Sequence, residues 1–295
     1  MRTYFKLTKS GIVWFVLLTA FLGYAMAVVT GNEWDSSALT LLLCGLYLVS
    51  SGSFSWNQAQ EWQLDARMPR TQTRPIPRGT IQPWQAYLLG GLMIGFGSFL
   101  LSLVQPLSAL LALATVVLYN GLYTLYWKKR WSFGAVPGAI PGAMPVVIGY
   151  SAMSGQILSP EVFYLFMIMF LWQMPHFWCL AIRYREDYAN AKIPVLPLKL
   201  GVDRTLYHMG LYMFAYVGLA IAAPWFFNTH VFYLLLIVPI AIKVMIEFFR
   251  YHQARAEGRW LPFFLWVNVS MLAFLAAPVM DSWLSVWLTR MSYNL

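Results

Sequence analysis

Apolar stretches of about twenty residues recur along this chain, each long enough to cross the roughly 30 Å hydrocarbon core of a bilayer. Lipid offers backbone groups no hydrogen-bond partner, so such segments must be helices or a closed barrel. Runs of this length without two-residue alternation are helical. Composition agrees. Of 295 residues, 60% are hydrophobic and 11% charged, where a soluble domain carries about a quarter charged. The expected fold class is all-α, a polytopic membrane bundle in one domain spanning 1–295. Nine transmembrane helices are expected, at about 12–30, 38–57, 84–104, 108–126, 135–152, 162–181, 206–226, 229–248 and 261–280. The fifth holds three prolines in VPGAIPGAMPVVIGY, which predicts a kinked or partly broken helix.

Charge fixes the expected orientation. With the N-terminus inside, the inner side receives Arg2, Lys6 and Lys9, then Arg67, Arg70, Arg74 and Arg78, and then Lys128, Lys129 and Arg130. It also receives Arg183, Arg185, Lys192, Lys199 and Arg204, and finally Arg250, Arg255 and Arg259. Arg290 falls outside with Glu33, Asp35, Glu161 and Asp281. This obeys the positive-inside rule almost completely. The net charge of +9 is therefore topogenic, and no nucleic-acid partner is expected. A cleaved signal peptide is not expected, because a full-length apolar segment follows Ser10 without a small-residue cleavage site. Cys44 and Cys179 lie inside apolar segments and read as packing residues. The C-terminal stretch, with Trp283, Leu284, Trp287 and Leu288, reads as lying along the outer interface.

Two polar constellations interrupt this pattern. In SFSWNQAQEWQLDARMPRTQTRPIP, Asn57, Glu61 and Asp65 are four residues apart and share one helical face. Such a face is costly in lipid, so it should line a hydrated cavity or meet an ion. Paired carboxylates one turn apart suit Mg2+, which is often shared with phosphate oxygens. Arg67, Arg70 and Arg74 suit a diphosphate, while Arg78 reads as topogenic. In LWQMPHFWCLAIRYREDYANAKIPVLP, His176, Arg183 and Asp187 fall on about one helical face, Pro175 should kink the helix, and Arg185 follows. Tyr184 and Tyr188 bracket the acidic pair Glu186 and Asp187. His176 is a candidate to bind a substrate with Gln173, or to support the kink through backbone carbonyls. Between the constellations, LYNGLYTLYWKKR supplies Tyr119, Tyr123 and Tyr126 ahead of Lys128. These tyrosines form either an interface belt or an aromatic wall for an isoprenoid diphosphate and its allylic cation.

YFKLTK, NQAQEWQLDARMPRTQTRPIP, LYTLYWKKR, PGAIPGAMPVVIGY, LWQMPHF and YREDYANAKIPVLP occur in this order over most of residues 4–200. Together they make the chain resemble the membrane-embedded aromatic prenyltransferase superfamily and, within it, the heme-farnesylating branch. The resemblance implies nine helices around a central cavity and farnesyl transfer from farnesyl diphosphate to heme b, giving heme O. It implies Mg2+ at Glu61, Asp65 and Asp187, catalytic roles for these and Asn57, and diphosphate contacts from Arg67, Arg70, Arg74, Lys128, Arg183 and Arg185. Tyr119, Tyr123, Tyr126, Tyr184 and Tyr188 would contact the prenyl chain, and His176 and Gln173 the heme. The implied setting is the bacterial cytoplasmic membrane, among membrane lipids, with the N-terminus and site on the cytoplasmic side and the C-terminus outside. Heme A synthase or terminal-oxidase assembly proteins are the implied partners. Glu61 stands where many members have aspartate, and the paired aspartates of quinone-forming relatives are missing from the second region. A quinone-precursor prenyltransferase and a heme carrier are the competing readings.

Overall fold

The computed structural model describes residues 2–226, 229 and 231–293, with the side chains of Arg2, Val231 and 285–293 left out. Short α1 (Arg2–Leu7) precedes α2 (Ser10–Val29), α3 (Ser36–Asp65), α4 (Pro83–Val104) and α5 (Pro106–Val116). The α5 rod continues as a π-helix, Val117–Trp127, and ends in one turn, α6 (Lys128–Arg130). Then come α7 (Ala135–Ser154), α8 (Pro160–Arg183), α9 (Arg185–Asn190), α10 (Leu196–Ile221), α11 (Val231–Gln253) and α12 (Trp260–Tyr293). No strand occurs among the described residues.

Eight helices are long and apolar enough to cross a membrane: α2, α3, α4, the α5–α6 rod, α7, α8, α11 and α12. The remaining expected span falls on α10, which breaks at Gly201 (φ 81°, ψ 171°) and runs on as a helix to Ile221, with Asp203 and Arg204 just after the break. The bundle is all-α and polytopic. Its hairpins pack backbone to backbone. A methyl group added at Gly45 would come within 2.9 Å of the Gly97 carbonyl oxygen, and one at Gly97 within 2.6 Å of that of Gly45. Small residues at such crossings let helices close on each other where lipid provides no hydrophobic drive. At the α2–α7 crossing the added methyl of Gly23 meets Val146 O, and that of Gly149 meets Ala20 O.

Three expectations change. The proline-rich α7 runs unbroken, with Pro141 and Pro145 inside it, because packing on both sides holds the helix through positions that lack a donor. Helix α8 ends at Arg183: Tyr184, at φ −111° and ψ 29°, separates it from α9. Asp187 is thus on a different helix from His176, and a single face through both does not exist. Helix α12 continues past Trp283 as one 34-residue helix, so the C-terminal stretch is not a separate segment. Its Trp283 packs edge-on against Trp34 at 6.1 Å, while the side chains of Trp287, Leu288 and Arg290 lie outside the described residues. Pro278 deprives the Phe274 carbonyl of its helical donor, and the Tyr164 hydroxyl of α8 donates to that carbonyl at 3.1 Å.

Candidate active site

A cavity of about 440 Å³ opens among α2, α3, the π-helix, α7 and α8, with an aromatic and aliphatic interior and a charged mouth. The mouth is built on the last turns of α3. The helix continues without interruption to Asp65, so the four-residue spacing keeps Asn57, Glu61 and Asp65 on one face, all within 3% of full burial. Each finds its partner on another element. Lys128 Nζ lies 2.7 Å and 2.8 Å from the two Glu61 carboxylate oxygens. Arg74 Nη1 donates to Asp65 Oδ2 at 2.6 Å, and Thr71 Oγ1 donates to the Asp65 carbonyl at 2.9 Å. Asn57 Nδ2 donates to Glu61 Oε2 at 3.2 Å and to Thr124 Oγ1 at 3.1 Å.

Lys9, between α1 and α2, donates to Asn57 Oδ1 at 2.7 Å. Burial lowers its pKa to about 7, Arg74 and Lys128 push the same way, and Glu61 and Asp65 offset only part. Across the mouth, Asp187 Oδ2 stands 3.8 Å from Arg70 Nε. The Arg70 guanidinium lies over the Tyr184 ring at 5.1 Å.

The π-helix determines which of its residues reach the cavity. Winding at about 4.4 residues per turn, instead of 3.6, keeps positions four or nine apart on one side and turns positions seven apart to opposite sides. Tyr119, Tyr123 and Lys128 accordingly line the cavity. Tyr126 is 45% exposed and lies outside that lining, with the Arg130 guanidinium 4.6 Å from its ring. The Tyr119 and Tyr123 rings stack at 5.8 Å, and Phe54 meets Tyr119 edge-on at 5.8 Å. Gly138 of α7 leaves room for Tyr123, since a methyl there would come within 2.5 Å of the ring. Asn120 anchors the stretch to α3: it accepts from Ser53 Oγ at 2.6 Å and donates to Ser53 O at 2.9 Å and to Gln60 Oε1 at 3.2 Å.

Deeper on α8, Gln173 Nε2 donates to Ala139 O at 3.0 Å and to Met169 O at 3.1 Å. The His176 ring stands between Trp172 (4.6 Å) and Phe264 (4.9 Å). Both Gln173 and His176 line the cavity, as do Arg70, Arg74 and Tyr188. Arg67 and Arg185 are exposed and outside the lining; Arg183 lies over Tyr184 and Trp260 at 5.8 and 5.5 Å. Lys9, Thr71, Asn120 and Thr124 belong to the site although sequence reasoning passed them over. Among these, Lys9 had a signal, its place in YFKLTK. Among the described residues no three acidic, histidine or cysteine side chains form a cluster able to hold a metal ion. Glu61, Asp65 and Asp187 each face a cation instead.

The pattern of the UbiA prenyltransferase family matches residues 16–269. The chain is 49% identical over 283 residues to the protoheme IX farnesyltransferase of Bdellovibrio bacteriovorus, covering 96% of this chain and 97% of that one. Its fold is similar to that of a digeranylgeranylglyceryl phosphate synthase (TM-score 0.76, 18% identity, 95% of this chain and 98% of the other). It is also similar to a UbiA homolog from Archaeoglobus fulgidus bound to DMAPP and Mg2+ (TM-score 0.66, 16% identity, 93% and 98%). Matched along nearly its whole length in sequence and in fold, with a buried carboxylate and cation cluster at the mouth of an aromatic cavity, the chain belongs to the UbiA prenyltransferase family.

Proposed function

We propose that this chain transfers the farnesyl group of farnesyl diphosphate to a vinyl group of protoheme IX, with addition of water, giving heme O and diphosphate. The observation that carries the reading is the charged mouth directly above an aromatic-lined cavity, in a chain 49% identical to a protoheme IX farnesyltransferase. Glu61, Asp65 and Asp187, which do not cluster by themselves, supply the carboxylate oxygens that Mg2+ prefers and would hold the ion together with diphosphate oxygens. When bound, the ion neutralises diphosphate charge and helps the group leave. A UbiA homolog of the same fold bound to DMAPP and Mg2+ supports this assignment.

The chain's own residues do the rest. Lys128, Arg74 and Arg70, which pair with Glu61, Asp65 and Asp187 in this structure, would take phosphate oxygens in charge-assisted hydrogen bonds. Asn57 holds Glu61 and Lys9 in register. The stacked faces of Tyr119 and Tyr123 stabilise allylic cation character as the carbon–oxygen bond breaks. The prenyl tail follows the apolar wall, and Gln173 and His176 form the side that the porphyrin meets. The mouth faces the cytoplasm of a bacterial inner membrane, a reading that the distribution of Lys and Arg supports.

The test is mass analysis of the heme after purified protein is given heme b, farnesyl diphosphate and magnesium. A product heavier by one farnesyl group and one water is expected. Label appearing on an added quinone precursor instead of heme would favour that acceptor. Heme passing between vesicles with no farnesyl diphosphate consumed would favour a carrier.

A further inference from the structure

Resting on the farnesylation reading above, we propose that Thr19, Leu46, Ala112 and Ile148 form a floor that measures the prenyl tail and selects the fifteen-carbon donor. The cavity continues well past the aromatic layer of Tyr119 and Tyr123. Its deepest lining residues on four helices are Thr19 of α2, Leu46 of α3, Ala112 of α5 and Ile148 of α7. All four are buried, and the last three share one apolar cluster. One turn further on each helix, Gly23, Leu42, Ala109 and Ala152 are buried and outside the lining.

What stops the cavity is closely packed backbone. Ala20 follows Thr19 and Gly149 follows Ile148. There α2 and α7 touch so closely that a methyl group on Gly149 would collide with the Ala20 carbonyl. Between α5 and α7 the Ser108 and Ser151 hydroxyls meet at 3.1 Å. The Thr19 hydroxyl turns back to Phe15 O at 3.0 Å, and that of Thr115, which also lines the cavity, turns back to Leu111 O at 2.7 Å. Both threonines therefore spend their donors on their own helices, and the floor is apolar.

The depth matches one donor. Glu61 meets Lys128 at the mouth. Leu46 lies fifteen residues before it on the uninterrupted α3, about 22 Å away at roughly 1.5 Å per residue. With its terminal phosphorus at the level of Glu61, extended farnesyl diphosphate has fifteen bonds to its last main-chain carbon. It spans about 18 Å at the roughly 1.2 Å per bond of an extended chain. A carbon–carbon contact of about 4 Å then brings the tail end onto Leu46. One more isoprene unit is four bonds, about 5 Å. Geranylgeranyl diphosphate therefore overruns the floor, and geranyl diphosphate leaves a gap above it. Higher on α2, Ile12 and Phe15 are half exposed and also border the cavity. A tail leaving sideways past them would escape the floor, and its length would go unmeasured.

The experiment measures kcat/KM for heme prenylation with geranyl, farnesyl and geranylgeranyl diphosphate at fixed heme b and magnesium. It reads the ratio between donors within each preparation, so the folded fraction cancels. The wild-type chain is expected to prefer farnesyl over either neighbour by about tenfold or more, the discrimination an apolar pocket gives to a few carbons. Leu46→Ala combined with Ile148→Ala removes six side-chain carbons, against the five of an isoprene unit. It should raise the geranylgeranyl-to-farnesyl ratio about tenfold. Ala112→Leu adds three carbons to the floor and should raise the geranyl-to-farnesyl ratio by about as much. A wild-type chain that uses geranylgeranyl as well as farnesyl diphosphate overturns the proposal, and so do variants that keep the wild-type ratios. A wild-type chain that prenylates heme with none of the three donors refutes heme farnesylation itself.

Discussion

Asp65 is 1% exposed, faces one guanidinium and anchors the loop after α3 through Thr71. Removing its charge therefore has two separable effects. Asp65→Asn keeps the shape, so stability should fall modestly, by about 1–3 kcal/mol for an impaired buried hydrogen bond. Turnover should fall about a hundredfold or more, because the proposed function has this charge meet the metal–diphosphate. Thermal unfolding in detergent and kcat over a magnesium titration separate the two; unchanged kcat at every magnesium concentration would remove Asp65 from the catalytic set. Lys9 gives a pH signature. With a pKa of about 7 instead of 10.5, it is largely neutral above pH 7 and charged below. A diphosphate beside it favours the ammonium, so binding above pH 7 takes up a proton and affinity declines from about pH 7 to 9. For stability the sign is opposite. The folded chain holds fewer protons than the unfolded one between about pH 7 and 10.5, so the Lys9 contribution makes stability rise with pH across that window and is a full penalty below it. Titration calorimetry with diphosphate in two buffers should detect the proton uptake. Lys9→Met should abolish it and weaken binding most at pH 6.

At the scale of elements, the π-helix is the part of the site that sequence did not disclose. In an α-helix Tyr119, Tyr123 and Tyr126 share a stripe, and Lys128 falls on the side opposite Tyr119. Wider winding reverses both relations, and no proline or glycine pattern in LYNGLYTLYW announces it. The acidic face of α3 was legible because a four-residue spacing survives whenever the helix does. The α8–α9 break was not, because Tyr184 leaves the helical region with no helix-breaking residue beside it. What holds the π-helix is Asn120, 3% exposed and bonded to Ser53 and Gln60 of α3. Asn120→Ala should leave these partners unsatisfied at a cost of about 1–3 kcal/mol and lower the affinity for diphosphate as Lys128 loses its register with Glu61. Asn120→Ala with an unchanged unfolding temperature would show that α3 does not hold this winding.

For the whole molecule, the strongest constraint on topology is the closure of distant segments onto one mouth. Lys9 from the N-terminal turn, Arg74 from the α3–α4 connection and Lys128 before α7 all reach the end of α3. Asp187, after α8, meets Arg70, and Arg183 reaches Trp260 at the start of α12. These connections therefore lie at one end of the bundle. Trp34, after α2, contacts both Tyr24 and Trp283 near the far end of α12, so that part of the molecule is the other end. A chain that starts at the mouth and finishes opposite it makes an odd number of passes, as nine require with α10 counted. This is why the charge pattern could be read so far: a helix gained or lost would have sent Lys128 and Asp187 to opposite ends. Because nearly all of the basic residues belong to the mouth end, the expected orientation puts the mouth in the cytoplasm. A cysteine scan tests it in a Cys44→Ala, Cys179→Ala background. Leu158→Cys, at a residue 89% exposed between α7 and α8, should react with a membrane-impermeant maleimide in intact spheroplasts. Arg78→Cys, exposed between α3 and α4, should react only after lysis. The reverse pattern would put the diphosphate mouth on the outer face, away from a cytoplasmic supply of farnesyl diphosphate.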